Sequence, residues 1–285
     1  MIPNNNLSPL PFYDSVERQN HRKDYAFGEV FCLGTPDRKI LPFQIIREHR
    51  TNQIVYAKLR KKDGTEFLDV LNELSATGLL VNQYTASGYD VIVYPGILPM
   101  AITTPEGEYY LHLSDGVQNW FSDVFTIVYN LSEYLKIEYS DADSLVFDNG
   151  LIDYSGTFKF HIYLCTQVGK PEYPFTEQLE ERDGQSFIEK QISEKTYKFT
   201  FLAPEYLCDA MRIIRMSDYV TIFTKGNEYD VDTFLITPKW EEQGDLASVE
   251  AEFQCNTIVK KIGMGYTPAD NGDFNNDYNN DYKNS

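Results

Sequence analysis

The sequence is poor in the residues that most often carry chemistry. Among 285 residues there are only 2 Trp, 4 His and 4 Cys. The cysteines, Cys32, Cys165, Cys208 and Cys255, stand far apart and form no Cys-x-x-Cys, so the ligand spacing of a zinc site is missing. They read as free, mostly buried thiols of a protein made in a reducing cell. His21, His49, His112 and His161 are scattered, and none has a second His or a carboxylate at a metal-like spacing. A Gly-x-Ser-x-Gly elbow, a P-loop and a His-Glu-x-x-His are all lacking. No catalytic residue, cofactor or metal site is therefore expected. Long apolar runs are absent too, so no membrane-spanning helix is expected. The opening Met1-Ile-Pro-Asn-Asn-Asn has no basic stretch followed by an apolar one, and no secretory leader is expected. Positive charge is in deficit: 25 Lys and Arg against 43 Asp and Glu give a net charge of −18. That balance argues against nucleic acid as a partner, because phosphate binding needs a basic face.

What the chain does have is aromatic and pleated. Tyr (21) and Phe (18) supply most of the aromatic residues, and both favour strands. The remaining charge is uneven. Residues 1–62 hold 11 Lys and Arg against 6 Asp and Glu, a net of +5, and the rest of the chain carries −23. One reading is a solvated face. The other is head-to-tail complementarity, in which a basic N-terminal region meets the acidic surface of a neighbouring copy.

Residues 1–24 are polar, contain Pro3, Pro9 and Pro11, and read as an arm that orders on a partner. From Tyr25 onward short apolar-polar segments alternate with turn signals. Asp63-Gly64 and Asp115-Gly116 both predict tight hairpin turns. Residues 25–130 form a first β domain, with a short helix over 69–77. Residues 131–266 form a second, in which strand 157–164 alternates as a half-buried strand does. Residues 166–184 read as an extended loop with a contact role, and 120–128 as one strand. Pro204–Met216 predicts one amphipathic helix, set within 204–217: Leu207, Met211 and Ile214 make an apolar stripe, with acids early and Arg212 and Arg215 late. Residues 267–285 are an acidic, Asn-rich, disordered tail. The fold class expected is mainly β: two antiparallel sandwich- or barrel-like units with one amphipathic helix packed on the second.

Paired carboxylates, such as Glu180-Glu181 and Glu241-Glu242, are the residues a glycosidase would need across a cleft. In a chain this acidic they read as surface charge. Asp270, Asp273, Asp277 and Asp281 in the tail lack the alternation and closing Glu of a calcium loop.

Several stretches look alike to one family as a set: Tyr94-Pro-Gly-Ile-Leu-Pro-Met, Gly107-Glu-Tyr-Tyr-Leu-His-Leu-Ser-Asp-Gly-Val-Gln-Asn-Trp-Phe, Thr166-Gln-Val-Gly-Lys-Pro-Glu-Tyr-Pro-Phe, Glu189-Lys-Gln-Ile-Ser-Glu-Lys-Thr-Tyr-Lys-Phe and Asp232-Thr-Phe-Leu-Ile-Thr-Pro-Lys-Trp-Glu. Over residues 10–265 the chain resembles structural proteins of tailed phages and prophages of Bacteroidetes-type gut bacteria. The resemblance implies a tail or baseplate component of the virion, made in the bacterial cytoplasm. Its partners would be copies of itself in a ring or tube and other virion proteins, and it would carry no catalysis. On that reading Arg18, Arg22, Lys23, Lys170, Tyr173 and Phe175 are the expected assembly contacts. The alternative is a carbohydrate- or host-receptor-binding β-sandwich, with Tyr109, Tyr110 and Trp120 stacking on a surface glycan. Against that stands their place in strands, which favours the core.

Overall fold

Alternating apolar side chains pair strands into sheets throughout the chain, in a computed structural model that describes residues 9–19, 34–35, 43–76, 80–84, 88–94, 105–128, 132, 134–140, 145–146, 153–154, 160–182, 184–240, 246–255 and 259–262. The protein is mainly β, with several antiparallel sheets; among the described residues there are one long α-helix, a short one, Leu71–Ala76, and a single 3-10 turn, Val16–Arg18.

The first half is built around the strand Gly107–Ser114. On one edge it pairs with Tyr56–Lys61, which continues through Asp63-Gly64 into Glu66–Asp69. On the other edge the segment read as one strand is broken in two. Asn119–Ser122 pairs the end of Gly107–Ser114, and Phe125–Ile127 pairs its beginning. At the break the Ser122 hydroxyl accepts a hydrogen bond from the Leu111 amide (2.8 Å), so the buried backbone keeps a partner where the ladder is interrupted. A smaller, three-stranded sheet of the same half has Tyr89–Tyr94 in the middle, flanked by Phe43–Glu48 and Leu80–Tyr84.

Residues 9–19 do not behave as an arm. Phe12–Tyr13 adds a short strand beside Asn119–Ser122, and Leu10 and Gln19 are fully buried. The cause is local. Pro11 cannot donate to a ladder, yet its carbonyl accepts from the Asp123 backbone amide (2.8 Å), and Gln19 Nε2 donates to the Ser122 carbonyl (2.6 Å). The rest of the expected arm, the tail 267–285 and Cys32 lie outside the described residues.

The second half holds the second main sheet, hereafter the second sheet, which is six-stranded and antiparallel in the order Phe160–Leu164, Leu135–Ser140, Tyr219–Thr224, Asn227–Trp240, Ala247–Cys255, Thr196–Ala203. Lys225 (φ 48°) and Gly226 (φ 76°) form the two-residue turn between Tyr219–Thr224 and Asn227–Trp240, with both residues left-handed as that turn type requires. The long helix is Glu205–Met216. Pro204 caps it in extended conformation, and Leu207, Met211 and Ile214 are buried as their spacing requires. The strand expected to be half-buried is not: all of Phe160–Leu164 is buried, His161 and Tyr163 included. Its two faces are both covered, so alternation in the sequence did not mean alternation in exposure. Cys208 and Cys255 are buried, and burial pushes the Cys208 thiol up to about 11, but Cys165 is exposed.

The buried apolar residues of both halves form one continuous cluster, from Leu10, Phe43 and Leu111 to Ile137, Ile162 and Phe253. The division near residue 130 is therefore a change of sheet within a shared core. Among the described residues no helix is long and apolar enough to cross a membrane.

Candidate interaction surface

Residues 166–184, read as a loop, are loop only as far as the edge of the second sheet. Gly169 donates to the Lys198 carbonyl (2.8 Å), and Glu172 exchanges two backbone hydrogen bonds with Thr196. These contacts cover the outer edge of Thr196–Ala203. Beyond them the chain leaves the sheet as a hairpin, Phe175–Arg182 paired with Gln185–Ser193, and Val259–Ile262 adds a third strand. The base is closed by the Glu194 amide on the Pro174 carbonyl (3.0 Å) and by Lys198 on Glu172 (2.8 Å). The tip turns at Gly184, whose φ of 74° most residues cannot adopt cheaply. A bulge between Gln178 and Leu179 leaves Glu189 unpaired in the register and twists the hairpin.

The hairpin is exposed on both faces. Phe175, Leu179, Ile188 and Val259 share one face by register, with exposures of 59, 54, 38 and 69%. Phe187, opposite Glu180, lies on the other face at 45%, and Tyr173 stands at the base at 66%. Between them lie polar residues, of which Gln191 donates to Glu177 (2.7 Å). Residues 172–194 carry 7 acidic and 2 basic side chains, a net of −5. Among the described residues the outer edge of Phe175–Arg182 pairs with no other strand. Apolar side chains on a projecting edge mark an interaction surface, and the interspersed glutamates resist indiscriminate strand pairing. Three strands with no buried face hold themselves together weakly. Covering one such side chain fully would contribute about 1.5–3 kcal/mol.

Of the expected assembly contacts, Lys170, Tyr173 and Phe175 are exposed at or near the base of this hairpin. Arg18 is exposed elsewhere and holds Asp14 at 2.8 Å. Arg22 and Lys23 lie outside the described residues. Leu179, Phe187 and Ile188 were missed, although Asp183-Gly184 between two alternating segments is a hairpin signal of the kind that found Asp63-Gly64. The rings expected to stack on sugar are in the core instead: Tyr109, Tyr110 and Trp120 are 2, 3 and 4% exposed. Each points to the inner side of its strand or is covered on both, so no ring face meets solvent. Glu180 and Glu181, adjacent on a strand, point to opposite sides of the hairpin and are both exposed, so they do not face each other across a cleft. Glu241 and Glu242 lie outside the described residues.

Among the described residues a dense cluster of ionisable groups is buried in the first half. Arg47 Nε meets Asp90 Oδ2 at 3.2 Å, and its Nη1 meets Asp115 Oδ2 at 2.7 Å, with all three side chains 2% exposed or less. The other terminal nitrogen of Arg47 donates to the carbonyls of Arg50 and Asn52. Half-exposed His49 holds Asp90 Oδ1 at 2.7 Å, and Arg50 reaches Asp115 at 3.2 Å. Asp115 Oδ1 accepts the amides of Val117 and Gln118, which closes the Asp115-Gly116 turn. Burial alone would raise Asp90. The hydrogen bonds from His49, the Arg50 amide and Arg47 outweigh it and hold the carboxyl below its ordinary range. Asp115 is likewise pushed up by burial and brought lower by the Gln118 and Val117 amides and the two arginines. Asp90 belongs to one sheet and Asp115 to a turn of the other, so the cluster is a clamp between sheets.

The clamp uses part of the basic N-terminal charge. Arg47, Arg50, Lys58 and Lys62 all hold carboxylates of the first half, Lys58 with Glu66 (2.7 Å) and Asp69 (3.1 Å), and Lys62 with Glu108 (2.8 Å). Their positive charge is matched inside the fold. Among the described residues no group of three His, Cys, Asp or Glu side chains is placed to hold a metal ion. Compared with known proteins, the chain matches no family model, no curated protein and no solved structure.

Proposed function

We propose that the chain is a structural protein of a virion, of the tail or baseplate type that its resemblance implies, made in the bacterial cytoplasm and acting by association with its own copies and with other virion proteins, without catalysis. The observation that carries this reading is the hairpin 175–193, which projects from the second sheet with Phe175, Leu179, Phe187 and Ile188 in solvent. A chain that worked alone would gain from charge at those positions. The glycan reading has no observation in its favour, because its three rings are buried.

Light scattering coupled to gel filtration, over a wide concentration range, tests the proposal. The wild-type chain is expected to associate, and the variant Phe175→Ser/Leu179→Ser/Phe187→Ser/Ile188→Ser to stay monomeric with an unchanged circular dichroism spectrum. A wild-type chain that remains monomeric and binds no co-expressed virion protein overturns it.

A further inference from the structure

The long strand Asn227–Trp240 outruns the helix that covers it. Phe234, Ile236, Pro238 and Trp240 alternate onto the same face of the sheet as the helix. Phe234 is buried, Ile236 is partly covered, and Pro238 and Trp240 are exposed, Trp240 at 48%. The helix side of the gap ends in Met216, itself 58% exposed. Between strand and helix lies a groove of about 570 Å³, with an apolar floor and walls from Cys208, Met216, Ile236, Pro238 and Trp240. That volume lies in the range of about 300–1,000 Å³ that holds ligands and anchoring side chains. Charge is placed along the helix. Glu205 and Asp209 stand at its N-terminal end and Arg212 and Arg215 at its C-terminal end, all lining the groove. Arg212 holds Asp209 at 3.2 Å. Arg215 makes no ion pair among the described residues. The end of the groove beside Met216 is therefore both apolar and basic.

One chain thus carries an acidic projection with an apolar stripe and a basic-ended apolar groove, and the two do not meet within the chain: the stripe stays 38–69% exposed and Trp240 and Met216 about half exposed. We propose that the groove receives the hairpin of a second copy of this chain, with Leu179 and Ile188 on the shelf of Ile236, Pro238 and Trp240 and the hairpin glutamates toward Arg212 and Arg215. This deepens the assembly reading and rests on it. The charges favour this occupant over the alternatives. Two hairpins, each at −5, repel one another, and among the described residues Arg47, Arg50, Lys58 and Lys62 of the N-terminal region already hold carboxylates of their own chain. A donor surface and a different acceptor surface on the same chain make a heterologous contact. Such a contact closes into a ring or runs on as a filament and does not stop at a dimer.

Complementation between two full-length variants tests it. Leu179→Ser/Ile188→Ser removes the donor and keeps the groove, while Trp240→Ser/Met216→Ser removes the groove and keeps the donor. All four side chains are exposed, and thermal melts matching wild type establish that both variants fold; Trp240→Ser alone serves if the double variant melts early. Wild type is expected to form species larger than a dimer. Each variant alone is expected to be monomeric, with association weakened at least tenfold, and the equimolar mixture to yield dimers and nothing larger, because only one intact interface remains. If the groove variant assembles as wild type does while the hairpin variant is monomeric, the hairpin has another receptor: the groove proposal is overturned and the assembly reading stands. If wild type itself is monomeric at high concentration, the groove proposal is overturned, and if it also binds no co-expressed virion protein, the assembly reading falls with it.

Discussion

Single residues differ widely in what they hold. Asp90 is 2% exposed and shares its two oxygens among Arg47, His49 and the Arg50 amide. In Asp90→Asn the guanidinium of Arg47 stays buried with one carboxylate fewer, and stability is expected to fall by about 3 kcal/mol, the lower end for breaking a buried pair because Asp115 remains. Glu66→Gln is the contrast. Its carboxylate is half exposed and Lys58 keeps Asp69, so a change within about 0.5 kcal/mol is expected. Urea denaturation of the two variants separates these cases, and equal losses would mean the clamp is no stronger than a surface pair. The same residues set an acid limit. Asp90 and Asp115 are held below the ordinary carboxylate value of about 3.9 when folded. Their contribution is therefore complete above that value and is lost as pH falls through the depressed folded values. Melting temperature is expected to drop steeply below about pH 4 in wild type, and less steeply in Asp90→Asn, which has already lost part of the dependence. A parallel drop in both would remove the clamp as the cause.

At the scale of elements, the helix Glu205–Met216 shows how a stripe is worth more than its propensities. Met211 is fully buried in the stripe with Leu207 and Ile214, and Arg212 next to it is exposed. Met211→Ala is expected to cost about 2–5 kcal/mol through lost burial and the cavity left behind. Arg212→Ala should stay within about 0.5 kcal/mol. Chemical denaturation measures both, and a harmless Met211→Ala would mean the helix lies loosely on its sheet. Elements of this kind were legible in the sequence because a period of 3.6 or 2 is local information: the helix, the strands Tyr89–Tyr94 and Tyr219–Thr224, and the turn at Asp115-Gly116 all follow from neighbours in the chain. The hairpin was legible in part. Tyr173 and Phe175 stood out beside prolines, but Glu-rich alternation in Phe175–Arg182 hid strand behind loop composition. Burial was the least legible property. Tyr109, Tyr110 and Trp120 have the chemistry of a sugar platform and the environment of a core, and only pairing partners far along the chain decide between them. The Arg47 clamp joins residues 43 and 68 positions apart, for which no spacing rule exists.

For the whole molecule, the decisive feature is that the two halves share one core. Where the long helix meets the first half, Tyr206 and Tyr13 both face the carboxylate of Asp123, at the break between Asn119–Ser122 and Phe125–Ile127. Burial first, and the negative charge of Asp123 second, push Tyr13 far above the ordinary phenol range; Tyr206 is raised by burial, then by Asp123 and Tyr13. A raised phenol favours the folded state only while the phenol of the unfolded chain is also neutral. The contribution is thus complete below the unfolded value of about 10 and is lost as pH climbs beyond it toward the folded value, at about 1.4 kcal/mol per pH unit for each tyrosine. Because Tyr206 and Tyr13 sit on opposite sides of the junction, this loss cannot unfold one half and spare the other. Alkaline unfolding is expected to begin above about pH 10 as a single transition, with tyrosinate absorbance and the circular dichroism of the sheets changing together, and Tyr13→Phe/Tyr206→Phe should move it to higher pH. At neutral pH, calorimetry should give one peak whose calorimetric and van't Hoff enthalpies agree. Two separated alkaline steps, or two calorimetric peaks, would mean that the halves melt independently, and the rigid base from which the hairpin projects would then be only the second sheet and its helix.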